Sequence, residues 1–394
     1  MTLREITHAI GVGEYNLLLD EVYATMPKTE EPACDIALID QLQQDWTLFG
    51  EYYELVRAVA IQVNGDEYRS TWVKVTAAYA MAHKVAMARK VPAPTPDGTV
   101  VTAMLPLYTL LPMIPMGIEE YRRRGFSAEE IQDLTKSYRG GLQIVKQQTG
   151  MPGINKTYYN WLMLFAKAAI FQTDGLQFEL RTLPDDVVYL KKKATGEVVP
   201  LMNTLPIHRS GLNLVGSAGF EDETGAIEPN FHEDDQNFYG HSCTDCKIDL
   251  EEKAFPKSQW EAFLCPGEEC LSIHIPSGTD ISIAALNRYF ETGRAIAKER
   301  YPEHKSTAIY GSSWILDPAL IQFVGEGSKI AGLQSRFIKY PQLSGSRPSF
   351  SFVFGKPNYD NYEDLPENTS LQRKLKKLYL EGGCTRTYAG IVVE

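Results

Sequence analysis

The spacing of apolar residues divides the chain into a helical first part and a strand-rich second part. Between Cys34 and Val63, the residues Ile36, Ile39, Leu42, Trp46, Phe49, Tyr53 and Val56 recur at steps of three and four. That period predicts one long helix with a single apolar stripe. Tyr68 to Ala88 supplies a partner stripe through Trp72, Val75, Tyr79 and His83, where His83 reads as a satisfied helical histidine. Ser127 followed by Glu130 is a capping-box pattern, so a helix starts there and runs toward Tyr138. Asn155 to Phe171 reads as a further amphipathic helix, with Trp161, Leu164, Phe165, Ala168 and Phe171 inward. The stretch from Gly98 to Ile118 carries no charge, yet Pro106, Pro112 and Pro115 would break a spanning helix repeatedly. It is expected to form buried connecting segments, with no membrane role.

After Gly175 short β-rich runs alternate with Gly, Pro and Asn turns. Strands are expected over Leu176 to Leu183, Val187 to Leu190, Val198 to Asn203 and Leu205 to Arg209. Glu221 to Asp235 is an acidic loop whose charges read as a solvated surface. A strand from Cys270 to Ile275, a loop from Pro276 to Asp280 and a helix capped by Ser282 and reaching Arg300 come next. Ser306 to Trp314 is a second strand, leading through Asp317-Pro318 into a short helix. Leu333 to Lys339 and Ser349 to Phe354 are read as strands, Ser370 to Leu380 as a helix stopped by Gly382-Gly383, and Tyr388 to Val393 as a closing strand. The fold class expected is α+β, with a helical domain over residues 1–155 and a mixed-sheet domain over residues 156–394.

Composition narrows the partners. At 394 residues, 44% apolar and 23% charged, the chain is an ordinary globular one and long enough for two domains. Its formal net charge of −11 argues against nucleic acid and anionic lipid, which require clustered Lys and Arg. Six cysteines in so long a chain, without a basic and apolar leader pattern, suit a reduced cytoplasm.

The candidate chemistry lies in the second half. Strand, loop and helix around Gly278 could hold a phosphate on backbone N–H groups, although Asp280 adds a negative charge and a plain turn has the same pattern. Cys243-x-x-Cys246 and Cys265-x4-Cys270 resemble two knuckles of a zinc site, with a helix expected over Trp260 and Leu264 between them; reduced structural thiols are the alternative. His274 ends an otherwise apolar strand, where open sheets bind ligands; it suits a general base or a backbone-bonded buried histidine equally. Tyr310, Ser312 and Ser313 occupy the corresponding end of the next strand and offer hydroxyls to a substrate. No Ser-His-Asp order, nucleophile elbow or Walker loop occurs.

The runs Trp260 to Phe263, Pro266-Gly267, Leu271 to Pro276, Ser313 to Pro318 and Gln334 to Phe337, flanked by Gly175 to Glu179, Thr369 to Arg373 and Gly382-Gly383, resemble a bacterial family of acyltransferase domain proteins. Members pair a helical N-acyltransferase N-terminal domain with a C-terminal domain similar to the GNAT superfamily. The resemblance implies that the His274 and Tyr310 strands are two central, splaying strands with an acyl thioester between them. It also implies that the segment Ile275, Pro276, Ser277, Gly278 and Thr279 borders CoA, with the amides of Ser277, Gly278 and Thr279 on its pyrophosphate. His274 would then be the base, with Tyr310, Ser312 and Ser313 near the acyl group. Acetyl-CoA or another acyl-CoA would be the co-substrate, and a small-molecule amine or a peptide the acceptor. The usual pyrophosphate-loop glycine pattern and the tyrosine acid of that superfamily are absent here. A non-catalytic binding protein of the same fold, stabilised by zinc, is the second reading.

Overall fold

The computed structural model describes residues 1–13, 17–27, 30–306 and 308–393. Two units divide it, Met1–Phe171 and Gln172–Glu394. In the first, the stripe that predicted one helix is shared by two, Ile36–Trp46 and Tyr53–Asn64. Thr47 adopts a left-handed conformation at φ 50° and ends the first helix, a break that apolar spacing cannot register. Asp35 and Asp66 cap Ile36–Trp46 and Glu67–Ala82 through backbone N–H bonds. The uncharged stretch is itself helical, as Val100–Leu110 and Ile114–Arg123 joined by a 3-10 turn. Pro112 and Pro115 sit in first turns, where their missing N–H is not needed, and only Pro106 lies inside a helix. Val100–Arg123 is long and apolar enough to cross a membrane, but most of it is buried within the unit. Its Tyr108 hydroxyl donates to the Val56 carbonyl at 2.7 Å.

The helix capped by Ser127 is Ala128–Thr149, longer than expected, and ends at Gly150 with φ 82°. Helix Lys156–Ala166 packs against it and against Val100–Leu110. The compact helical unit runs to Phe171, since this helix buries its apolar face among the others.

The strands are β1 (Ile170–Gln172), β2 (Gln177–Thr182), β3 (Val187–Lys192), β4 (Val198–Met202), β5 (His232–Glu233), β6 (Asn237–Thr244) and β7 (Lys247–Ile248). They continue as β8 (Lys253–Pro256), β9 (Trp260–Leu264), β10 (Glu269–His274), β11 (Ile309–Ser313), β12 (Ile338–Pro341) and β13 (Tyr388–Val392). Within the second unit one sheet runs β2-β10-β11-β13-β12, and a second runs β5-β6-β4-β3-β9. β10 and β11 pair in parallel, whereas β2–β10, β11–β13 and β12–β13 are antiparallel, so this sheet is mixed. A core of Tyr189, Met202, Leu264, Tyr310, Tyr340 and Ile391 lies between the two sheets. The opposite face of β2 packs on helix Ile283–Arg300, where Gly293 leaves room for the Phe178 ring.

Four local expectations are corrected. Trp260 to Leu264 is a strand paired with β3, with Trp260 packed in the apolar cluster of Phe238 and Phe255 and Leu264 in the core between the sheets. Ser328 caps a helix, Lys329–Gln334, so the strand expected from Leu333 begins only at Ile338. Phe350–Val353 is a helical turn, since Phe350 and Phe354 four residues apart both pack on one aromatic cluster. Leu205 to Arg209 makes only isolated bridges, from Ile207 to Leu214 and Ile227.

Candidate functional site

Among the described residues β10 and β11 share two register pairs, Leu271↔Ile309 and Ser272↔Tyr310. Beyond them the strands part, while β10 stays paired with β2 through His274↔Gln177 and β11 with β13 through Ser313↔Tyr388. Each lip of the opening is thus held by its outer neighbour. His274 stands on one lip, and Ser312, two residues past the last shared pair, stands level with it on the other. Side-chain alternation puts Glu179 and Arg181 of β2, Ser272 and His274 of β10, and Tyr310 and Ser312 of β11 on one face.

His274 is one-third exposed, and its Nε2–H donates to the buried Glu179 carboxylate at 3.0 Å. A carboxylate can only accept, so this bond places a proton on Nε2. Glu179 was not singled out by sequence reasoning. Its signal was an acidic residue in mid-strand between Phe178 and Leu180, but its partner depends on strand register.

The hydroxyl residues expected beside His274 separate. Tyr310 is fully buried in the core between the sheets, under the Arg181 guanidinium at 5.3 Å, and its hydroxyl accepts from the Gln342 amide at 3.1 Å. Burial pushes its pKa up. Ser312 is exposed at the lip and donates to Gln342 Oε1. Ser313 turns its hydroxyl to the Ile315 N–H and caps the short turn Trp314–Leu316. Gln342 also donates to Asp186, which accepts from the Tyr340 hydroxyl at 3.0 Å; burial raises the Asp186 pKa against these bonds. Sequence reasoning missed Asp186 and Gln342, which tie the β11 lip to the second sheet.

After His274, the loop residues Ile275 to Thr279 lead toward helix Ile283–Arg300, capped by Ser282. Gly278 has φ 84° and supplies the left-handed turn. The Thr279 N–H bonds back to Pro276 and its hydroxyl donates to the Gly175 carbonyl, so this amide closes the loop and is not offered outward as expected. Asp280 is paired with Lys329 at 2.7 Å, which, with the Ser282 bonds, lowers its carboxyl to about 2.

Among the described residues no group of three or more His, Cys, Asp or Glu side chains is placed to hold a metal ion. Cys243 and Cys270 lie in the core between the sheets, and Cys265 packs beside Phe231 and Trp260. The four thiols form no such group: Cys243 and Cys270 share one apolar core, and Cys265 packs in another cluster.

The family described as GNAT-like C-terminal domain matches residues 170–392. The fold is also similar to that of solved acyltransferases. One, a variant in complex with octanoyl-CoA, has a TM-score of 0.67 at 16% identity, covering 100% of this chain and 99% of its own. Another, in complex with decanoyl-CoA and teicoplanin, has a TM-score of 0.65 at 16% identity with the same coverage. A third, with decanoyl-CoA alone, has 0.66 at 15%, again with that coverage. At these identities the likeness is one of fold. No curated protein matches the sequence.

Proposed function

The chain belongs to the GNAT-like C-terminal domain family, and on that premise we propose that it transfers an acyl group from acyl-CoA to an amine. The observation that carries the reading is the His274–Glu179 pair at the mouth of the parting β10 and β11 strands. The thioester lies in that opening, and the acceptor nitrogen attacks its carbonyl carbon. The carbon–sulfur bond then breaks, and CoA leaves as the thiolate. His274 Nδ1 takes the proton that the amine loses and returns it to the thiolate, while Glu179 fixes the ring and stabilises the transient imidazolium. Ser277 and Gly278 border the CoA diphosphate at the entrance to helix Ile283–Arg300.

The acyl group in this proposal is of medium length, by analogy with the octanoyl and decanoyl groups bound to proteins of similar fold. Acetyl-CoA, the simplest donor expected from sequence, is the short member of the test series. Calorimetry with acetyl-, octanoyl- and decanoyl-CoA, followed by thiol release in the presence of amines, tests the reading. Binding with amine-dependent release supports it; absence of binding for all three donors overturns it.

A further inference from the structure

A cavity of about 460 Å³ opens in the second unit, with neither His274 nor Glu179 in its lining. Its position follows from the sheet register. Gly345 and Ser346 follow β12, Cys384 and Arg386 precede β13, and these strands pair at Pro341↔Tyr388. Tyr388 also pairs with Ser313, the last residue of β11. The cavity therefore lies off the carboxyl end of β11, the end of the sheet at which β10 and β11 part.

Five of its twelve lining residues are glycines, Gly216, Gly219, Gly345, Gly382 and Gly383, so much of the wall is bare backbone. Peptide groups at low relief suit a ligand that brings amides of its own. The lining carries one cation and one anion. Arg386 is fixed: its Nε donates to the Ala218 carbonyl at 2.8 Å, its guanidinium lies 5.0 Å over the Phe220 ring, and its backbone N–H donates to Asp317. Its Nη2 reaches the Gly219 wall, where an added Cβ would come within 3.1 Å. The Glu221 carboxylate accepts the Gly219 N–H at 2.9 Å. A preset guanidinium recognises a carboxylate in a planar geometry, and the Glu221 carboxylate, close enough to Arg386 to be favoured by its charge, accepts from ammonium or amide N–H groups.

We propose that this groove is the acceptor subsite and that it takes a peptide or peptide-like amine with a free carboxylate, which pairs with Arg386. The inference rests on the acyltransferase reading above. The amide backbone of the acceptor runs along the glycine segments, and its amine end reaches toward the opening beside His274.

The test uses triglycine and triglycinamide as probes, read by saturation-transfer NMR on the full chain, with decanoyl-CoA binding measured in parallel by calorimetry. Triglycine is expected to bind, and triglycinamide at least tenfold more weakly. Gly345→Trp fills the groove without strain, because a Cβ there meets nothing within 4 Å and its φ is not positive. That variant and Arg386→Gln should lose triglycine but keep decanoyl-CoA binding, Gly345→Trp with the wild-type melting temperature. Triglycine bound equally by Gly345→Trp, or not bound by the wild type, overturns the subsite whatever the result with decanoyl-CoA. Triglycine bound in the groove by a protein that binds no acyl-CoA overturns the acyltransferase reading and with it the acceptor role.

Discussion

The Nε2–H of His274 meets a carboxylate oxygen of Glu179 at 3.0 Å across a separation of 95 residues. The antiparallel register of β2 and β10 makes the meeting possible, since Glu179 faces Ser272 and Gln177 faces His274 on the same side of the sheet. Glu179 is buried and His274 partly open, so one partner anchors and the other reaches the opening.

This pair yields a kinetic prediction. His274→Ala should lower kcat by about 10²- to 10⁴-fold while acyl-CoA still binds. Glu179→Gln, which keeps the shape but removes the charge, should lower kcat by about tenfold and leave the KM for acyl-CoA unchanged. Steady-state rates with calorimetry separate the two effects; an unchanged kcat in His274→Ala would remove it from the mechanism.

The loop after His274 has a pH signature. Lys329 and the Ser282 bonds hold the Asp280 carboxyl at about 2, below its ordinary 3.8. A depressed carboxyl contributes stability that is present above 3.8 and disappears as pH falls through about 2. Carboxyl-detected NMR titration should place Asp280 near 2, and Lys329→Met should move it upward toward 3.8. A titration unmoved by that substitution would mean that Lys329 is not the cause.

Gly293 governs the packing behind the site. A Cβ there would come within 2.4 Å of the Phe178 ring, next in sequence to Glu179. Gly293→Ala should therefore cost about 1–3 kcal/mol despite its better helix propensity, measured by urea unfolding. Stability equal to wild type would show that the ring moves aside freely.

The thiols should divide by burial. Burial pushes Cys34 and Cys270 up to about 12 and Cys243 higher still, while Cys265 and Cys384 are only half-buried. Iodoacetamide at pH 8, followed by peptide mass spectrometry, should label Cys265 and Cys384 first. Elemental analysis should find no stoichiometric zinc; one zinc per chain would restore the knuckle reading of the cysteine pairs.

Local signals in the sequence are legible where the chain responds to its near neighbours. Ser127 with Glu130, Ser282, and Ser370 to Leu380 marked helix starts and spans that the structure reproduces, because a cap bonds a backbone group only a few residues away. Reading failed where geometry is set at a distance or by one dihedral. Thr47 broke a helix through a single left-handed residue, and Phe350 turned helical to reach an aromatic cluster.

The sequence by itself determined the α+β class, the change from helix to strand texture, the family resemblance and the place of His274 at a strand end. Tertiary structure alone decided which groups meet. Register brought Glu179 to His274, sheet stacking drew Tyr310 into the core, apolar packing buried Cys243 and Cys270 in one core, and the ends of β12 and β13 enclosed a glycine-lined groove. The reason is physical: caps, turns and amphipathic period are encoded within a few residues, whereas strand partners and buried contacts depend on chain closure over tens to hundreds of residues.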